Sequence, residues 1–150
     1  MELLFGAHVR EHGNRVGRLA AAELEPTTRR IRRITFTPDG DLGPSAMACS
    51  VSAISLVHDD GEIELMPYSE TSEVSASQDV AVLSRATRLR SNGREIGRLV
   101  GFDVDPSERA ITTLFGRRHW WSRRLSFPQT SVDYSVPGEI RIASSTTQAA

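Results

Sequence analysis

Lysine is missing from this chain: all 18 of its basic residues are arginine. A guanidinium suits carboxylates and phosphates better than an ammonium, but a genomic base-composition bias explains the replacement more simply and is the reading adopted. A single cysteine, Cys49, excludes an internal disulfide. No apolar run approaches the roughly 18 residues that a membrane-spanning helix requires, so no membrane span is expected. The opening Met1-Glu2-Leu3-Leu4-Phe5 has no basic residue before its short apolar run, and no cleavage-like segment follows, so no signal peptide is expected. The expected location is the cytoplasm.

What the chain does have is a copy of itself. Arg10-Glu11-His12-Gly13-Asn14-Arg15-Val16-Gly17-Arg18-Leu19 returns 80 residues later as Arg90-Ser91-Asn92-Gly93-Arg94-Glu95-Ile96-Gly97-Arg98-Leu99. The match runs without a gap through Leu24-Glu25-Pro26 against Val104-Asp105-Pro106, then Arg29 against Arg109, Ile31 against Ile111 and Ile34 against Leu114. Glycines, a proline and apolar alternation persist, which is the skeleton of a backbone and not of an active site. The boundaries read as repeat 1 over 1–66, an acidic serine-rich linker over 67–82, repeat 2 over 83–143 and a mobile tail over 144–150. Halves of about 60 residues are near the lower size for independent folding, so they are expected to lean on each other or on a second chain.

The net charge of −1 hides an asymmetry. Repeat 1 holds 7 arginines and 10 acids (−3), the linker 3 acids (−3), and repeat 2 holds 11 arginines and 6 acids (+5).

Each repeat reads as β-structure. Tight hairpin turns are expected at His12-Gly13 and Asn92-Gly93, since such pairs readily take positive φ. Long strands follow over 16–24 and 96–104, with Gly17 and Gly97 near their starts, where glycine in a strand marks a bulge, a bend or a close backbone approach. Pro26 and Pro106 open turns, with proline pre-set for the first central position of type I. The copies diverge over 37–44 and 117–124, then rejoin at Gly61-Glu62-Ile63-Glu64-Leu65 and Gly138-Glu139-Ile140-Arg141-Ile142.

This pattern of a Gly-x-x-x-Gly hairpin, a strand ending at an acid and Pro, an aliphatic strand, Phe127-Pro128 and a closing Gly-x-Ile-x-Ile resembles the PRC-barrel family. About 130 of the residues take part, as two tandem copies. The resemblance implies an all-β fold of two tandem small, strongly bent antiparallel β-barrels. It brings no catalytic motif. Photosynthetic reaction-centre H subunits and RimM-type ribosome-maturation factors carry such a barrel. No apolar run in this sequence reads as the membrane helix of the former, and a second barrel is expected where the maturation factors have a different β-domain.

Candidate chemistry is sparse, and no cofactor or metal is expected. His8 and His12 are four apart on a strand and its turn, where that spacing does not converge. Asp39-Gly40-Asp41 and Asp59-Asp60-Gly61 lack the ligand ladder of a calcium loop and read as solvated turns. Cys49 reads as a buried apolar residue of a strand. No nucleophile, base and orienting acid stand together, so no enzyme is expected.

The feature that the fold does not account for is Arg117-Arg118-His119-Trp120-Trp121-Ser122-Arg123-Arg124. Arginines around two indoles can pair phosphates while the rings stack on bases, or can anchor a protein hot spot. On a strand, adjacent side chains alternate, so Trp121 is expected inside the barrel and Trp120 outside. The residues assigned to partner binding are Arg117, Arg118, Trp120, Arg123 and Arg124. The leading function is a non-enzymatic protein-interaction or assembly module, with a second copy of the chain as one partner. The alternative is RNA or ribonucleoprotein binding through the basic repeat, as the resemblance to maturation factors implies.

Overall fold

The structure, a computed structural model, describes residues 1–67, 71–73, 80–143 and 148–149. Most of the expected linker and tail lies outside the described residues. The described chain is all-β. Repeat 1 contributes β1 (Glu2–Leu4), β2 (His8–Glu11), β3 (Asn14–Leu24), β4 (Ile31–Thr37), β5 (Met47–Ser50), β6 (Ile54–Val57) and β7 (Ile63–Leu65), followed by β8 (Ser72–Glu73). Then come β9 (Ala81–Ser84), β10 (Arg88–Ser91), β11 (Arg94–Val104), β12 (Ile111–Arg117), β13 (Leu125–Pro128), β14 (Val132–Asp133), β15 (Glu139–Ile142) and β16 (Gln148–Ala149). From β2 to β4 and from β10 to β12, strand boundaries repeat at the 80-residue offset. β8 and β16, which lie in the expected linker and tail, occupy equivalent outer positions beside β5 and β13.

Two curled sheets result, ordered β6-β7-β2-β3-β4-β5-β8 and β14-β15-β10-β11-β12-β13-β16. The purely antiparallel expectation is corrected here, because each sheet is mixed: β2 runs parallel to β7 and β10 parallel to β15. Single 3-10 turns at Val51–Ala53 and Gln129–Ser131 carry the chain round a corner. After the following hairpin, the closing strand meets the open edge of β2 or β10 running in the same direction.

The curl has a local cause. Bulges fall at the same places in both repeats, opposite Val9/Arg10 and Leu89/Arg90, within Leu19/Ala21 and Leu99/Gly101, and at Glu23/Leu24 and Asp103/Val104. Each extra residue bends the strand and increases its twist. Gly17 and Gly97 sit at the first bulge, where the neighbouring strand crosses closely: a Cβ on Gly97 would lie 2.5 Å from the Arg117 carbonyl oxygen. The hairpin turns are as expected, with φ of 52° and 76° at His12-Gly13 and 52° and 77° at Asn92-Gly93. The proline turns are wider than type I. The Arg29 N–H reaches the Glu25 carbonyl at 2.8 Å and the Arg109 N–H reaches that of Asp105 at 2.7 Å, so each turn closes over five residues.

The repeats are joined by a reciprocal exchange. β1 leaves its own repeat and pairs with β11, with Leu3 opposite Phe102, while β9 pairs with β3, with Leu83 opposite Ala22. Between them, Arg30 bridges Ala110, its own counterpart. Around that bridge the Ile31 N–H donates to Arg109 O at 2.9 Å and the Ile111 N–H to Arg29 O at 3.0 Å. Equivalent residues meeting reciprocally are the mark of a two-fold contact. One continuous core draws on both repeats, with Leu3, Leu19, Leu83, Leu89, Leu99 and Phe102 among its members.

Core volumes are traded between copies. Where repeat 1 packs Val9, Phe36 and Cys49, repeat 2 has Leu89, Gly116 and Phe127. A Cβ at Gly116 would collide with Leu89, so the missing ring at 116 is what makes room for the larger neighbours.

Candidate partner-binding site

Arginines that recur in both repeats hold the fold. Arg10 donates to Gly13 O at 3.1 Å and pairs with Glu62 at 3.3 Å, and Arg90 does the same with Gly93 O at 2.9 Å and Glu139 at 3.3 Å. Any separate activity is therefore to be sought among arginines that do not recur, four of which stand together at 117–124.

That segment is a loop between β12 and β13, and its geometry corrects the sequence expectation for Trp121. Both indoles are outside, with Trp120 83% and Trp121 67% exposed. The alternation argument required strand, but pairing ends with Gly116 opposite Leu125, leaving 118–124 free of the pleat. The loop is nevertheless tied. The Ser122 hydroxyl accepts from the His119 N–H at 2.9 Å and donates to its carbonyl at 2.7 Å, and the Ser122 N–H reaches the same carbonyl at 3.0 Å. Arg117 Nη1 donates to Trp120 O at 3.2 Å. The His119 ring stacks on Trp121, centroids 4.6 Å apart and planes at 6°, and Trp120 stands edge-on to Trp121 at 5.5 Å and 86°.

The five residues assigned from sequence divide into two groups. Arg117 fastens the loop. Arg124 turns back to the body, 4.1 Å over the Phe115 ring and paired with Glu2 at 2.8 Å across the repeat boundary. Arg118 and Arg123 make no ion pair or hydrogen bond among the described residues, and with Trp120 they face solvent. Both border an open groove of about 500 Å³ whose other lining includes Arg94, Ile96, Ser122 and Leu125. Sequence reasoning missed Arg94, which is far away along the chain. The signal was present in the repeat comparison, because Arg94 replaces Asn14 at the same turn position. On the loop's other side, a groove of about 410 Å³ runs between Arg85, Arg98, Arg117, Arg118 and Trp120.

The matching loop of repeat 1 is built differently. The Asp39 carboxylate accepts from the Asp41 N–H at 3.0 Å and from the Thr37 hydroxyl at 3.2 Å, which holds its pKa below the usual range. Asp41 is paired with Arg85 of repeat 2. These acids are thus engaged in a turn and an ion pair. A groove of about 580 Å³ lies along β9 between 80–83 and 134–139. Its titratable side chains are Glu25, Glu139 and Tyr134, and the Tyr134 hydroxyl is already committed to Gln129.

Among the other candidates, Cys49 is 2% exposed on β5, and burial pushes its thiol up to about 11. Loss of hydration, then Arg15 and Arg18, holds His8 below its ordinary value. His58 Nε2 lies 2.8 Å from Glu64. No group of three or more histidine, cysteine or acidic residues is placed to hold a metal among the described residues. No helix among the described residues is long and apolar enough to cross a membrane.

No protein-family model matches this sequence, and no curated protein matches it.

Proposed function

We propose that this protein is a non-enzymatic binding and assembly module made of two PRC-barrel-like units, working in the cytoplasm, whose partner seats on the 117–124 loop of the second unit. One observation carries the reading. Two units with the same strand frame differ most at the loop 117–124, and there two indoles are held in water by a fastened backbone beside Arg118 and Arg123, which have no partner among the described residues. Exposed apolar rings are unfavourable in water, and tryptophan with arginine is the residue pair enriched at binding hot spots. The open grooves beside the loop suit a macromolecule better than a small ligand, which normally sits in a deep, mostly apolar pocket.

A protein partner is the first class considered, with a second copy of the chain as one form of it through the outermost strands β6, β8, β14 and β16. The second class is RNA, favoured by Arg94, Arg118 and Arg123, which have no partner among the described residues. A photo-crosslinking residue placed at position 120 of the full chain, with the exposed position 28 of the Pro26 turn as control, tests the site. Adducts from 120 alone are the expected result. Equal yields from both positions, or none, would remove the loop from consideration.

A further inference from the structure

We infer that the occupant of this loop is single-stranded nucleic acid, its phosphates paired by Arg94, Arg118 and Arg123 and its bases stacked on Trp120 and Trp121. The inference rests on the binding-module reading above and names the ligand that reading leaves open.

Charge is the first argument. The two grooves meet at Arg118, and among the described residues their only acidic lining residue is Glu95, which is 3.8 Å from Arg98. Among the described residues Arg94, Arg118 and Arg123 have no ion pair or hydrogen bond, although the same surface pairs Arg85 with Asp41 and Arg124 with Glu2. A track of guanidinium groups without carboxylate partners is what a polyanion fills, and each phosphate neutralised releases counterions.

Ring geometry separates nucleic acid from an acidic peptide. His119 is stacked on Trp121, which is still 67% exposed. Trp120 stands nearly perpendicular and is 83% exposed. Exposed indoles beside cations offer stacking platforms, which bases use and acidic side chains do not. A duplex keeps its bases stacked on each other, so an unpaired strand is the form that fits.

Both tryptophans of the sequence lie in this loop, so tryptophan emission, excited selectively over that of the two tyrosines, reports on this site alone. The full chain is titrated at low salt with an oligothymidylate of about 12 nucleotides, within the length that one small barrel covers. Expected are quenched emission, an affinity about tenfold weaker for Trp120→Ala, and a log–log salt slope reduced by about 1.4 for the Arg118→Gln/Arg123→Gln double variant. Unchanged circular dichroism in these surface variants separates loss of binding from loss of fold. Polyglutamate of equal charge, or the same sequence as duplex, binding as tightly as the single strand would overturn the inference, because charge alone would then suffice. Absence of any quenching would overturn it too. If position 120 still crosslinks to a protein in that case, the binding-module reading survives and only the ligand class falls; without adducts, both fall.

Discussion

At the residue scale, glycines at equivalent-looking positions do different work. Gly97 is required by close approach, since a side chain there would be driven into the Arg117 carbonyl. Gly138 is required only by its φ of +72°, with open space where a Cβ would stand. Gly97→Val is therefore expected to cost about 3 kcal/mol as overpacking, and Gly138→Ala about 1 kcal/mol as backbone strain. Equal melting temperatures for the two would contradict the bulge assignment. Carboxylates set the response to acid. Asp39 is held below its ordinary range by the Asp41 N–H, Asp105 by the Ser107 hydroxyl and N–H, and Asp133 by the Ser135 N–H and hydroxyl. A folded pKa below the unfolded one means that their stabilisation is present above about pH 4 and is lost as pH falls through the folded values. The lowered His8 acts in the same direction below its ordinary value, since protonation then favours the unfolded chain. Melting temperature should therefore fall on acidification, and a rise would contradict these hydrogen bonds.

At the scale of elements, the hairpin β12–β13 and its loop are separable. Pairing from Thr113 to Gly116 belongs to the sheet, whereas both indoles lie beyond it. Trp120→Ala and Trp121→Ala should each change stability by no more than about 0.5 kcal/mol, as surface substitutions do. A loss near 3 kcal/mol for Trp121→Ala in chemical denaturation would return that ring to the core. The repeat alignment made β2 to β4 and β10 to β12 legible, because turn glycines and the proline hold register over the same spacing in both copies. It misjudged the 117–124 segment because alternation applies only while a strand stays paired, and nothing local in Arg-Arg-His-Trp-Trp says where pairing ends. Arg94 was hidden for a related reason: the groove it shares with Arg123 exists only after β11 and the loop are brought side by side.

At the scale of the whole molecule, the acidic and basic repeats meet within one chain. Arg85–Asp41 and Arg124–Glu2 join a cation of repeat 2 to an acid of repeat 1, and Arg30–Glu108 runs the other way. Exposed pairs of this kind contribute little each; the exchange of β1 and β9 into a common core contributes more. Leu3 is fully buried, and Leu3→Ala is expected to cost about 3 kcal/mol as a cavity. Because β1 belongs to the sheet of the other repeat, the variant should still unfold in a single transition. Two separated transitions would show that the repeats are independent. Light scattering that gives only 16.5 kDa at micromolar concentration would remove a second copy of the chain from the set of partners.

What the sequence by itself determined is local and periodic: all-β structure, the turns at Gly13 and Gly93, the bends at Gly17 and Gly97, and burial of Cys49. These follow from φ preferences and side-chain period, which act over a few residues. Tertiary structure alone decided the exchange of β1 and β9, the parallel closing strands and the outward position of Trp121. Each of these is a choice between edges or faces of similar local preference. Only long-range pairing and the packing of one shared core distinguish among them.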